Sequence, residues 1–333
     1  MNQAVFSPKE FLEANIPEIP SEARVCCPVC LGDKSQPFAE GYDYELRTCR
    51  NRWMFQQCMN CGHVVLDPRP RIETLPIIYP PDYYAYNLSS QVSPIALKGK
   101  DILDRLKFRS ILRHLLRKPS SFLDIGCGDG RYLRLMERWQ AIDRERLFGI
   151  ELSEKIVARL RVEGFHAICD RVETCEEIPS RSIDVATMFH VIEHVDDPHQ
   201  VIAKVADWLA PGGILALETP NLEALDARLF ARTYWGGYHI PRHWNLFTEK
   251  SLTKLLARSN LHVVAKSFQT GHSFWMYSFH HLIRYNGTFP SPRIARWFDP
   301  LRGLPLLVMF TVFDKIRAAL GFRTSSILII ARK

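Results

Sequence analysis

The sequence predicts an α/β fold built on a parallel sheet with helices on both faces. Three observations predict it. From Ser120 to Glu218, short apolar runs alternate with stretches of helical periodicity. Leu123–Gly130 (LDIGCGDG) joins a buried strand to a glycine-rich turn and then a helix. A helix ending at Leu209 is closed by Pro211-Gly212-Gly213, a strong stop signal, before a further apolar run.

The elements follow in order. Residues 1–20 are polar and proline-punctuated and read as a flexible arm. Residues 21–85 are dense in cysteine, aromatic and turn-forming residues and read as a small module of short strands and loops. Residues 86–100 read as a linker. A helix is expected from Asp101 to Leu116, on the apolar face of Ile102, Leu103, Leu106, Ile111, Leu112, Leu115 and Leu116, and Lys118-Pro119 stops it. Strands are expected at Phe122–Ile125, Leu147–Ile150, Ala167–Cys169, Ile183–Phe189 and Ile214–Glu218. The helices between them fall at Arg131–Trp139, Glu154–Val162 and Gln200–Leu209. A helix over Glu249–Ser259 opens at the N-cap Thr248. Strands over Leu261–Phe268 and Ser326–Ala331 complete the pattern, and an aromatic-rich, helical insert lies between them at about 270–324.

The chain has 333 residues, 47% hydrophobic and 24% charged, an ordinary globular composition with room for a large core and an accessory module. A net charge of +7 permits acidic partners without requiring them. The first twenty residues lack a basic start and an apolar run, so a cytoplasmic location is expected. In that reduced setting the nine cysteines point to metal rather than disulfides. No apolar run approaches the ~20 residues of a membrane span, and the nearest is Leu304–Phe313.

In parallel sheets ligands sit beyond the carboxyl ends of the strands. Asp124, Glu151, Asp170 and the pair Phe189-His190 all fall there. Gly126 and Gly128 let backbone approach a ligand, and the helix that follows offers its N–H groups. Glu151 suits two ribose hydroxyls, and Asp170 an adenine amino group. Asp124 repels a pyrophosphate but suits an ammonium group. An adenosine ligand carrying an amino acid therefore fits better than NAD.

Here the chain resembles the class I S-adenosylmethionine-dependent methyltransferases, through LDIGCGDG, GIELS, SIDVATMFHVIEHVDDP and WLAPGGILALETPN. The resemblance covers about residues 100–269 and the terminal strand. It implies a seven-stranded Rossmann-like sheet whose last strand, formed by SILIIARK, is antiparallel. It implies S-adenosylmethionine as cofactor, with Asp124, Gly126, Gly128 and Gly130 framing its methionine part. Glu151 would hold the ribose, Asp170 would meet the adenine, and Phe189 and His190 would line the site. Cys127 and Leu152 complete the candidate cofactor set. Simpler roles compete: Gly130 and Asp129 as the start and cap of a helix, Cys127 as a small turn residue, and Glu173 as a rival to Asp170.

Cys27-Pro-Val-Cys30 and Cys58-Met-Asn-Cys61 form two Cys-x-x-Cys knuckles, each followed closely by a glycine. Two such pairs complete a tetrahedral, structural zinc site, with Cys26 as an alternative ligand and Cys49 outside the set. A module of this kind resembles the one at the N-terminus of bacterial sugar C-methyltransferases, and PRP and YPPDYYAY fit as well. Their further large C-terminal domain has no counterpart in this sequence.

His190-Val-Ile-Glu193-His194 lies where quinone-type O-methyltransferases carry Glu-x-x-Glu-His and bind a divalent metal. A second metal there competes with pocket packing and a helix cap from Asp196-Asp197-Pro198. Gly236–Thr248 (GGYHIPRHWNLFT) corresponds to the acceptor side. Tyr238, His239 and His243 are the candidate catalytic residues. His243 is the candidate base, with a packed core histidine as its competing reading, and Arg242 is a candidate for binding an anionic acceptor. The insert would act as a lid or as extra core.

The expected function is methyl transfer to a small-molecule acceptor: a sugar, glycolipid precursor or other secondary metabolite, in nucleotide- or lipid-linked form. The alternative is an RNA methyltransferase using the zinc module to bind RNA, although Arg47–Phe55 is the only basic-aromatic stretch. A binding protein that keeps the cofactor fold is the third reading. Nucleic acid is not the expected partner, and contact with a membrane surface stays open.

Overall fold

Strand-forming runs separated by cysteine and glycine turns open the chain. The computed structural model describes Phe11 and residues 15–80, 94–286, 291–300 and 303–333, with the backbone alone for 94–100. Most of the expected arm and residues 86–93 of the expected linker lie outside the described residues. The first strands are β1 (Ser21–Glu22), β2 (Ser35–Gly41), β3 (Trp53–Cys58), β4 (Val64–Leu66) and β5 (Arg69–Pro70), followed by one helical turn, α1 (Leu75–Ile78). β2, β3 and β4 form an antiparallel meander, and β1 pairs with β5.

The next helix, α2 (Pro94–Leu112), starts seven residues before the expected Asp101 and takes in the end of the expected linker. Pro94 sits at the first helical position, where its missing N–H costs nothing. The helix also ends before the expected Leu116, because His114 N–H donates to Ile111 O (3.1 Å) and Leu115 N–H to Leu112 O (3.0 Å), a tightening into three-residue turns.

The predicted alternation then appears: β6 (Phe122–Ile125), α3 (Arg131–Gln140), β7 (Leu147–Glu151), α4 (Glu154–Val162), β8 (His166–Cys169), β9 (Ile183–Phe189), α5 (Pro198–Trp208) and β10 (Leu209–Pro220). Asp197 caps α5, accepting from the N–H groups of His199 and Gln200. The Pro-Gly-Gly expected to separate helix from strand lies inside β10, where pairing with β9 shifts between Leu209 and Ile214. After it come α6 (Leu225–Leu229), β11 (Asn245–Leu246), α7 (Glu249–Ala257), β12 (His262–Gln269), α8 (His272–Tyr285), α9 (Pro292–Ala295), α10 (Leu304–Ala319) and β13 (Ser326–Arg332). Thr248 caps α7 as expected, exchanging bonds with Ser251 (Ser251 N–H to Thr248 Oγ1, 3.1 Å). Among the described residues no helix is long and apolar enough to cross a membrane.

Seven strands form one sheet in the order β12-β13-β10-β9-β6-β7-β8, with β13 the antiparallel one. β10, β9, β6, β7 and β8 are parallel. β6 (FLDI) and β9 (IDVATMF) are buried on both faces nearly throughout, rather than alternating between core and solvent.

The chain divides into two compact units. Pro81–Glu218, Leu255–Lys266 and Ile329–Lys333 form the unit that carries most of the sheet. Its core is Leu123, Ile125, Val185, Met188, Leu215 and their neighbours, all nearly inaccessible. Met1–Pro80, Thr219–Lys254 and Ser267–Leu328 form the other. There the cysteine-rich segment and the aromatic insert share one core, in which Trp53, Phe55, Trp235, Trp244, Trp275 and Phe310 cluster. Each large side chain so buried contributes about 1.5–3 kcal/mol.

Candidate functional site

In the sheet unit, the carboxyl ends of the parallel strands bring the predicted cofactor residues together. β6 delivers Asp124 and runs into Gly126–Gly130. Gly126 has φ +73°, and a Cβ there would stand 2.5 Å from Val191 Cγ2, so only glycine fits. Gly130 has φ +80° and would press a Cβ to 2.3 Å from Leu160. It is the N-cap of α3, and Asp129, one residue before it, accepts from Arg131 N–H (3.1 Å). Gly128 N–H donates to Glu151 Oε2 at 3.0 Å, tying the turn to the end of β7. Glu151 Oε1 accepts from the N–H groups of Leu152 (2.8 Å) and Ser153 (3.1 Å). Cys127 is buried, which pushes its thiol well up and suits a packed turn residue.

Asp124 is 2% exposed. Its Oδ1 accepts from Thr187 Oγ1 (2.7 Å), and Oδ2 is buried with no partner. Burial, with the nearby Glu151 charge adding to it, raises its carboxyl to about 7 against the Thr187 hydrogen bond. Such an acid is protonated below about pH 7 and charged above it. Affinity for a cationic ligand held by Asp124 is therefore expected to weaken as pH falls from about 8 to about 6. Calorimetric titration across that range checks this, and a flat profile would contradict it.

At the end of β9, Phe189 packs edge-on against Tyr132 (5.5 Å), and the Lys107 ammonium lies 3.6 Å from the Phe189 ring centre. His190 takes φ +55°, a strained value for a side-chain-bearing residue. Its Nδ1 lies 3.1 Å from Glu193 and its Nε2 3.6 Å from Glu218. Burial opposes its charged form, but these two carboxylates outweigh it and raise the imidazole above its ordinary value. The side chain is 41% exposed, so water tempers the effect.

Two residues here were not foreseen. Glu218 lies near the end of β10 and is paired with Lys107 of α2, whose charge, with that of His190, overcomes burial to hold the carboxyl low. An acid near the carboxyl end of the fifth strand was a readable signal. Lys107 carried none, because α2 lies outside the strand–helix alternation. Asp170, after β8, accepts from Arg171 N–H (2.7 Å) and Thr174 Oγ1 (2.6 Å), whereas its rival Glu173 is bound to Arg171 and to Asp196 N–H.

In the other unit the four cysteines converge. The Sγ atoms of Cys27, Cys30, Cys58 and Cys61 all lie within 4.8 Å of one another. Cys27–Cys61 measures 3.6 Å and Cys30–Cys58 3.5 Å. These distances are too long for disulfides and match the ~3.8 Å edge of a tetrahedron with ~2.3 Å metal–sulfur bonds. The first knuckle turns back through Cys27 N–H to Gly32 O, and the second links β3 to β4 with Gly62 at φ +74°. The donor set fits zinc. Cys26 and Cys49 are outside the cluster.

The Gly236–Thr248 segment also lies in this unit. Tyr238 is buried between Phe55 and Trp235, and its hydroxyl accepts from Arg232 N–H (3.2 Å). His243 Nδ1 donates to Gly237 O (2.8 Å), which fixes the orientation of the ring. His239, at φ +38°, packs edge-on to His243 (4.9 Å) and sets Nδ1 2.9 Å from the buried Glu45 carboxylate. The expectation that Arg242 binds an anionic acceptor is corrected. Arg242 is fully buried and pairs bidentately with Asp43 (3.0 and 3.0 Å), and its Nε donates to Ile78 O. Its guanidinium is spent inside the fold.

Comparisons with known proteins bear on this arrangement. A family model described as a methyltransferase domain matches residues 100–266. The ubiquinone biosynthesis O-methyltransferase of Xanthomonas oryzae pv. oryzae is 32% identical over 130 residues, 35% of this chain and 53% of that protein. An uncharacterized 37.1 kDa protein in transposon TN4556 of Streptomyces fradiae is 32% identical over 124 residues, 35% of this chain and 36% of that protein. The chain thus spans between about a third and a half of the length of these curated relatives. Among solved structures, a SAM-dependent methyltransferase from Archaeoglobus fulgidus has a TM-score of 0.46 at 18% identity, covering 75% of this chain and 99% of that one.

Proposed function

Because the chain belongs to the family of methyltransferase domains, we propose that it transfers a methyl group from S-adenosylmethionine to a small-molecule acceptor. The observation that carries this is the unshared, buried carboxylate oxygen of Asp124 beside a turn that only glycines can make. When bound, S-adenosylmethionine supplies an electrophilic methyl group on a sulfonium centre. Asp124 would hold the ammonium group, with Gly126, Gly128 and Gly130 framing it. Glu151, already oriented by three backbone N–H groups, keeps one of its roughly four lone-pair sites, on Oε2, for a ribose hydroxyl. Asp170 would meet the adenine, and Phe189 with His190 would line the site. Positioning supplies most of the rate in such a transfer.

On the acceptor side His243 is the proposed base, with its ring held by the bond from Nδ1 to Gly237 O. The acceptor is read as a sugar, a glycolipid precursor or another secondary metabolite. The four cysteines would hold zinc with no open position, a structural role.

Labelled-methyl transfer into soluble, lipid and RNA fractions of a cell extract tests the reading. Label in a small molecule is expected, and label confined to RNA would overturn it. His243→Ala is expected to keep cofactor affinity while losing about 10²–10⁴-fold in turnover. Full turnover in that variant would remove the base role.

A further inference from the structure

α10 is built inside out. Its polar anchor is buried and its apolar side chains face solvent. Asp314 is fully buried, and its carboxylate accepts from Gly271 N–H (3.0 Å) and Trp275 Nε1–H (3.3 Å). Phe310, on the same side, stacks on Trp275 (5.5 Å) and on Phe279 (5.8 Å) of α8. These contacts fix which face of α10 points outward. That face carries Leu304, Val308, Val312, Ile316 and Leu320 at four-residue steps, with Met309 and Phe313 beside them. Each is 41–69% exposed. Single exposed apolar residues are ordinary, but a continuous stripe along a whole helix marks an interaction surface.

The surrounding charge and the size of the stripe select its partner. Among described residues 291–323, the exposed charged side chains are all basic: Arg293, Arg296 and Lys315, with Arg323 paired to Glu223 and Glu249. Trp297 is 72% exposed among them. An apolar helix face with exposed tryptophan and basic neighbours is the composition that seats at a lipid headgroup boundary. With sixteen residues the helix is roughly 24 Å long, too short to cross a ~30 Å hydrocarbon core, so it would lie in the surface plane.

We propose that α10 is a membrane-docking helix that inserts its Leu304–Leu320 stripe into the surface of an anionic bilayer. This rests on unit-internal packing and does not depend on the methyltransferase reading.

Vesicle flotation of the full chain tests it, with phosphatidylcholine vesicles compared with vesicles also containing phosphatidylglycerol. Binding is expected, stronger to the anionic vesicles and weakened by salt. The double variant Val312→Asp, Ile316→Asp is expected to bind at least about tenfold more weakly, with an unchanged melting temperature because both sites are exposed. Arg293→Gln with Arg296→Gln should remove the preference for anionic lipid. Absence of vesicle binding, or equal binding by the Val312/Ile316 variant, would overturn the proposal. So would a wild-type dimer in light scattering that the same variant dissolves, since a second copy would then cover the stripe.

Discussion

Cys58→Ser is expected to strip the chain of zinc and to unfold the unit that holds it. Structural zinc contributes about 10–16 kcal/mol in small zinc peptides. The site here closes the β3–β4 turn onto the first knuckle, and the strands it joins carry Trp53, Phe55, Val64 and Leu66 into the shared aromatic core. Loss of one thiolate leaves three ligands and a loosened hairpin, so the melting temperature should fall by more than about 10 °C. Elemental analysis should give one zinc per wild-type chain and little in the variant. Cys26→Ser is the control and should change neither quantity. Zinc-free wild-type protein, or zinc retained by Cys58→Ser, would refute the site.

Arg242→Ala is expected to cost about 3–5 kcal/mol, because it abandons the Asp43 carboxylate in a fully buried position. The double variant Asp43→Asn, Arg242→Met should be less damaging than Arg242→Ala alone, since no charge is then stranded. The pair also sets an acid limit. Burial works against the Asp43 charge, but Arg242 and the bonds from Thr48 win and lower its carboxyl to about 2. A depressed folded pKa stabilises above the ordinary value of 3.8 and loses that stabilisation as pH falls toward about 2. Urea midpoints measured down through this window check both statements. A tolerated Arg242→Ala would show that the pair is not the anchor its geometry makes it.

The sheet was legible because its signals are local. Continuous apolar runs, a Gly-x-Gly-x-Gly turn and helix stops mark β6 to β10 without knowledge of their neighbours. The residues at those strand ends were legible for the same reason, since topology alone carries Asp124 and Glu151 to one edge. Long-range pairing was not legible. Arg242 looked like an acceptor ligand because nothing in PRHW reveals that Asp43, 199 residues away, meets it in the core. Lys107 was invisible because its partner, Glu218, is 111 residues distant. The early start of α2 was missed because Gly99 and the preceding polar run resemble a linker, while the signal that mattered was Pro94 at the first helical position.

The most direct test of the central claim is calorimetric titration of S-adenosylmethionine into wild-type protein, Asp124→Asn and Glu151→Gln. The wild type should bind, and each variant should lose about 1–3 kcal/mol of binding free energy, the cost of removing one charged hydrogen-bonding group. Wild-type protein that fails to bind, or unchanged affinity in both variants, would contradict the assignment of this strand edge as the methyl-donor site.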